Sequence, residues 1–140
     1  MSDEARNVAL LTEAYRRWSD SKGASGDHWI SLFDENVRFG SIGEPIKAVA
    51  YMASYRSRDA LAQYFAGLTR DWEMLEYRVD HFVAQGDRVV MLGHCSWRAK
   101  ASGKVVSTPK ADSWRFSDGK AVEFYEYFDT AQVVQAMTPA

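Results

Sequence analysis

Apolar positions recur with a helical period in the first half of the chain and with a period of two in the second. Val8, Leu11, Tyr15 and Trp18 fall at i, i+3, i+7 and i+10. That is one face of a helix over residues 3–21, opened by Ser2-Asp3-Glu4 and closed near Gly23. Asp27 is placed to cap a second, short helix through Leu32, with Trp29, Ile30 and Phe33 turned inward, and Asn36-Val37-Arg38-Phe39 reads as a strand. Residues 40–55 combine Gly43 and Pro45 with the apolar run 48–53 and suit a loop, a short strand pair or a flap. Ser57 caps a third helix, on which Leu61, Tyr64, Phe65, Leu68 and Trp72 keep the helical spacing.

From Leu75 onward the period becomes two. Leu75, Tyr77, Val79, His81 and Val83 share one face, and Glu76, Arg78 and Asp80 share the other. Gln85-Gly86-Asp87, Ala101-Ser102-Gly103 and Ser117-Asp118-Gly119 punctuate strands near 75–84, 88–100, 104–116 and 120–128, which predicts an antiparallel four-stranded meander. Asp129 or Thr130 caps a last short helix through Met137. The pattern predicts one α+β domain over residues 1–140, with three N-terminal helices covering one face of a strongly twisted antiparallel sheet.

Composition adds limits to this picture. A chain of 140 residues, 46% hydrophobic and 26% charged, is long enough to bury a core without disulfides. Its 17 basic and 19 acidic residues nearly cancel, so no summed field draws it onto nucleic acid or an anionic membrane. Cys95 is the only cysteine and no long apolar run occurs, from which a cytoplasmic protein is expected. Five Trp, seven Tyr and seven Phe are more ring surface than so small a core needs, which suggests that some of it lines a cavity.

The last two strands carry the candidate chemistry. On residues 104–116 the inward face is marked by Trp114 and Phe116, and it carries Lys110 and Asp112 with it. On the last strand Val122, Phe124 and Phe128 mark the inward face, which includes Glu126. A three-residue loop at Ser117-Asp118-Gly119 pairs Phe116 with Lys120, Asp112 with Phe124 and Lys110 with Glu126; a two-residue turn would put apolar residues opposite charged ones along the whole hairpin. Asp112 and Glu126 then become diagonal neighbours about 7–8 Å apart. A carboxylate among Trp114, Phe116, Phe124 and Phe128 loses hydration and can work as a proton donor or base near neutral pH. The alternative is structural: Asp112 holds a buried backbone group and Glu126 pairs with Lys110 near the sheet rim. Trp97 joins Lys110 and the four rings as a candidate ligand contact, and Tyr15, on the buried stripe of helix one, could reach the pocket through its hydroxyl. Cys95 and His94 point to opposite sides of one strand, and no HxH, HExxH, CxxC, Gly-rich strand-to-helix loop or GxSxG occurs, so neither a metal nor another cofactor is expected.

The run Asp112-Ser113-Trp114-Arg115-Phe116-Ser117-Asp118-Gly119-Lys120, followed by Glu126-Tyr127-Phe128-Asp129-Thr130, resembles the SnoaL-like and ketosteroid-isomerase-like branch of the nuclear transport factor 2-like superfamily. Gly26-Asp27 and Arg58-Asp59-Ala60 match its order as well. The resemblance implies a cone-shaped, curved sheet around a pocket (a cystatin-like roll) and a homodimer through the outer sheet face. Asp112 falls where ketosteroid isomerases keep a protonated aspartate as oxyanion donor, and Tyr15 near their second donor. Their general base comes from the strand after the second helix, where this chain reads Arg38-Phe39-Gly40-Ser41 and has no carboxylate. Limonene epoxide hydrolases keep an Arg and a second Asp that would fall at Gly93 and Cys95, whereas SnoaL-type polyketide cyclases use an acid matching Glu126 and a histidine where Asp112 stands. The resemblance implies acid/base chemistry on a small apolar carbonyl or polyketide-like molecule, with Glu126 as base, Asp112 as neutral donor or second acid and Tyr15 assisting. A non-catalytic binding module for an apolar ligand, or a dimeric interaction scaffold, is the alternative.

Overall fold

The computed structural model describes residues 2–139. Helix α1 (Asp3–Asp20) starts where the Ser2 hydroxyl accepts the Ala5 N–H, and α2 (Gly26–Leu32) leads straight into strand β1 (Phe33–Ser41). Asp27 lies inside the first turn of α2, and no side chain caps that helix. A segment with a short 3-10 turn at Lys47–Val49 precedes α3 (Leu61–Asp71). The Ser57 hydroxyl accepts the Ala60 N–H just ahead of that helix. Strands β2 (Trp72–Gln85), β3 (Arg88–Ala99), β4 (Val105–Ser117) and β5 (Lys120–Tyr127) form the meander, and α4 (Thr130–Met137) closes the chain, with Asp129 as its cap.

The sheet has five strands in the order β1-β5-β4-β3-β2. Its four-stranded antiparallel meander agrees with the sequence pattern, whereas β1 adds beside β5 in parallel, which the pattern did not foretell. A parallel pair needs a long crossover, and the stretch from α3 through β4 supplies it. Residues 40–55 form a folded strap: Tyr55 returns to bridge Phe39 antiparallel, and the Ser54 hydroxyl donates to Glu44.

Two irregularities shape the sheet. In β2 the pairing with β3 slips between Met74 and Glu76 and again between Val79 and His81. Each bulge flips the alternation, so Trp72, Met74, Tyr77, Val79 and Phe82 face inward while His81 and Val83 are exposed, contrary to the unbroken period-two face expected from the sequence. In the β4-β5 hairpin the turn has two residues, not three: Ser117 pairs with Lys120, and Asp118 and Gly119 both hold positive φ, as the preferred tight hairpin turn requires. The parity conflict that argued against this turn is removed by a bulge, where Phe116 pairs with Ala121 and Arg115 with Glu123, leaving Val122 as the extra, half-buried residue. Asp112 therefore lies directly across from Glu126 rather than diagonally, and Trp114 pairs with Phe124.

The core fills the concave side, where Leu11, Tyr15 and Trp18 of α1, Trp29 of α2 and Leu61, Tyr64 and Leu68 of α3 meet the inward strand residues. The strap is fastened to α3 by Tyr51, which packs on Gly67, accepts a hydrogen bond from Trp72 Nε1 at 2.7 Å and lies under the Arg70 guanidinium. A Cβ on Gly67 would overlap the Tyr51 ring. Glycine to alanine inside a helix ordinarily stabilises by about 1 kcal/mol. At Gly67 we expect the opposite sign, a loss of about 1–3 kcal/mol in urea unfolding; a stabilised Gly67→Ala protein would mean that the strap does not seat there.

Candidate functional site

Alternation along β4 turns Val106, Thr108, Lys110, Asp112, Trp114 and Phe116 toward the helices, and β5 brings Phe124 and Glu126 beside them. Asp112 and Glu126 are each 2% exposed. A buried charge is costly unless it is paired and hydrogen-bonded, and both acids are. Lys110 Nζ lies 2.5 Å from Asp112 Oδ1 and 3.2 Å from Glu126 Oε1, with its side chain 10% exposed. Asp112, not Lys110 as expected, is the residue directly opposite Glu126, yet the Lys110 amine still reaches Glu126 and lies between the two acids.

Three phenols complete the cluster. Tyr15 donates to Asp112 Oδ2 at 2.5 Å, and Tyr77 donates to the same oxygen at 3.3 Å. Tyr64 donates toward both oxygens of Glu126 at 2.9 Å. Trp114 Nε1 in turn donates to the Tyr15 oxygen at 3.0 Å. Burial holds the Tyr15, Tyr64 and Tyr77 phenols well above their ordinary value, and the adjacent carboxylate of Asp112 or Glu126 pushes further the same way, so all three remain donors. Burial alone would lower Lys110, but Asp112 and Glu126 outweigh it and hold the amine well above its ordinary value, as an ammonium.

Tyr15 was legible from the stripe of α1. Tyr77 and Tyr64 were read as core positions on a strand and a helix; a buried phenol always needs a partner, which was the available signal.

The cluster forms one wall of a cavity of about 90 Å³, otherwise lined by rings that include Trp18, Trp29, Phe39, Trp97, Phe124 and Phe128. At roughly 10–15 Å³ per water measured in this way, that is room for several waters or a small organic molecule. Phe65, Trp97 and Phe128 are only half buried and mark the rim. Met52 from the strap and Val133 from α4 also line the space. The Gln132 side-chain amide pairs with both the N–H and the carbonyl of Ser107, like a further strand, and this docks α4 against β4. Of the proposed ligand contacts, Lys110, Trp97, Trp114, Phe124 and Phe128 line the cavity. Phe116 does not: it stacks behind Trp114 at 6.2 Å and is buried near the hairpin end, beyond the cavity.

Cys95 also lines the cavity, and burial pushes its thiol up to about 11, so it offers no thiolate at neutral pH. Among the described residues no group of His, Cys, Asp and Glu is arranged to hold a metal. No helix of the described residues is long and apolar enough to cross a membrane.

A curved, mostly antiparallel sheet wrapped round a pocket beneath three helices is the nuclear transport factor 2-like fold. The family model of the SnoaL-like domain matches residues 11–124, so the chain belongs to the SnoaL-like family. Among solved structures it is similar to a nuclear transport factor 2-like protein of unknown function from Burkholderia pseudomallei (TM-score 0.83, 23% identity, 99% of each chain covered). It is similar also to TerC co-crystallised with polyporic acid (TM-score 0.79, 20% identity, 94% of this chain and 98% of that one). A third is a protein with a ketosteroid isomerase-like fold from Catenulispora acidiphila, in complex with trimethylamine (TM-score 0.74, 14% identity, 94% of this chain and 93% of that one). No curated protein matches the chain in sequence.

The buried phenols and ammonium set a pH dependence. Each binds its proton more tightly folded than unfolded, so their contribution is present in full below pH of about 10 and is lost as pH rises through the folded values. Urea midpoints measured from pH 8 to 11 should stay level to about pH 10 and then fall. A midpoint that rises above pH 10 would contradict the cluster as described.

Proposed function

We propose that the protein is an acid/base enzyme acting on a small, largely apolar carbonyl compound, of the isomerase or cyclase kind, with Glu126 as the base. The observation that carries this reading is the state of Glu126. It is buried in an aromatic wall and open to the cavity, Oε2 has only the Tyr64 phenol as partner among the described residues, and a cation lies beside Oε1. A carboxylate fixed in this way at a cavity wall is placed to take a proton from a C–H of a bound molecule without first having to be positioned.

Asp112 has a different part from the neutral donor implied by the family resemblance. Lys110, Tyr15 and Tyr77 each point a donor at it, so we read it as an acceptor that holds the donor side of the site in place. The complexes of TerC with polyporic acid and of the Catenulispora protein with trimethylamine support small-molecule binding by a protein of this fold. They favour an enzyme or a ligand-binding module over a pure scaffold.

The test is proton exchange at the carbon next to the carbonyl of β-tetralone and cyclohexanone in deuterium oxide, followed by NMR. The wild type should accelerate exchange, and Glu126→Gln should lower the rate by roughly 10²–10⁴-fold. Equal rates for the two proteins would remove Glu126 as base, and a tightly bound ketone recovered without exchange would favour the binding module.

The outer sheet face supports a homodimer. Leu92, Ala111 and Tyr127 line up across β3, β4 and β5, with Tyr127 46% exposed and Tyr125 next to it. Sedimentation should show a dimer for the wild type and a monomer for Tyr127→Glu. A monomeric wild type would refute this assembly.

A further inference from the structure

Enolising a carbonyl compound needs a donor for the oxygen as well as a base for the carbon. The groups that the family resemblance suggests for that task are already engaged. The single hydroxyl hydrogens of Tyr15 and Tyr77 are directed at Asp112, and that of Tyr64 at Glu126. The Tyr15 oxygen also receives Trp114 Nε1, and Asp112 is surrounded by donors. Lys110 differs from all of these. An ammonium has three N–H groups, and among the described residues Lys110 spends two of them, one on Asp112 and one on Glu126. The residue lines the cavity, so the remaining N–H is the one uncommitted cationic donor at the polar end of an otherwise apolar space.

Distance supports the same assignment. Lys110 Nζ and Glu126 Oε1 are 3.2 Å apart. A carbonyl oxygen and the carbon next to its carbonyl carbon are roughly 2.4 Å apart, from ordinary C–C and C=O bond lengths. A donor and a base at this separation can therefore each meet one end of the same H–C–C=O unit. Asp112 lies closer still to the ammonium, at 2.5 Å, but it also accepts from Tyr15 and Tyr77 and is the more heavily engaged of the two acids.

The geometry points to Lys110 as the catalytic oxyanion donor, with Asp112 as the positioning residue that holds its ammonium. This assignment rests on the reading of Glu126 as base. In the step, the C–H bond breaks and its proton passes to Glu126. The C–H electron pair forms the new C=C bond, the carbonyl π pair moves onto oxygen, and the Lys110 N–H donates to that oxygen. When the proton on Glu126 is replaced by a solvent deuteron before it returns to the same carbon the result is exchange, and return of the proton to a conjugated carbon gives isomerisation. No other reactant is consumed. Asp112, 2.5 Å from Nζ, keeps the ammonium from swinging wholly onto Glu126 and quenching the base.

The experiment measures exchange of β-tetralone in deuterium oxide with wild type, Glu126→Gln, Lys110→Ala and Asp112→Asn. Lys110→Ala should lose roughly 10²–10³-fold in rate, as for removal of one oxyanion donor. Added ethylammonium should restore part of that loss, whereas tetramethylammonium, which has the charge but no N–H, should not. Asp112→Asn should lose less than Lys110→Ala. If Lys110→Ala does not fold, infrared spectra of wild-type protein with bound β-tetralone decide the matter. The carbonyl stretch should fall below its value in water, and should move back toward it in Asp112→Asn as the ammonium is released.

A Lys110→Ala protein as fast as wild type, rescue by both cations alike, or an unshifted carbonyl stretch would overturn the assignment and leave the Glu126 reading intact. An active Glu126→Gln protein, or a wild type that accelerates no ketone exchange, would instead overturn the reading on which the assignment rests.

Discussion

One cation between two buried carboxylates governs this molecule. Asp112 and Glu126 lie opposite each other on adjacent strands, inside an aromatic wall, where two unpaired negative charges could not stay together. Lys110 makes the arrangement possible, and the phenols of Tyr15, Tyr64 and Tyr77 satisfy the remaining lone pairs. The cluster draws on α1, α3, β2, β4 and β5, so it ties two of the helices to the sheet as it assembles the polar end of the cavity. Removing one member of such a set costs about 3–5 kcal/mol, because the partners left behind remain buried.

The fold serves this cluster through its irregularities. A tight Asp118-Gly119 turn by itself would put Glu126 on the wrong face, and the bulge at Val122 restores the alternation that keeps Glu126 beside Asp112. The two bulges of β2 bring Tyr77 inward and turn His81 out, and they bend the strand round the cavity. Strand β1 covers the open edge of β5, while the strap and α4 reach across the other side through Met52 and Val133. Rings and aliphatic side chains dominate the rest of the lining, so the cluster forms the charged end of the cavity.

The helices, the four antiparallel strands and the inward face of β4 were legible because their periods of 3.6 and two are long and clean. Asp112 and Glu126 followed from alternation with Trp114 and Phe124. Bulges were not legible, since the phase shift of one residue is masked where apolar residues such as Leu75 and Val83 continue the old parity on the outer face. The hairpin register, the inward residues of β2 and the direct pairing of the two acids were therefore misread. The parallel β1 and the strap depend on contacts between segments far apart in sequence, which local periodicity does not encode. Phe116 shares the parity of Asp112, but a cavity has a finite depth along the strand, and Phe116 falls past its end. Tyr64 and Tyr77 looked like core residues because their rings are core; only their hydroxyls belong to the site.

Lys110 must be a charged ammonium that faces the cavity for the cluster to hold together and to act on a bound ketone. Side-chain nitrogen NMR of protein with isotope-labelled lysine, assigned through Lys110→Arg, observes this directly. The Lys110 resonance should be protected from solvent exchange, keep the ammonium shift from neutral pH to about pH 10 and move when a ketone fills the cavity. A neutral amine at pH 7, or an ammonium whose resonance ignores cavity occupancy, would contradict this.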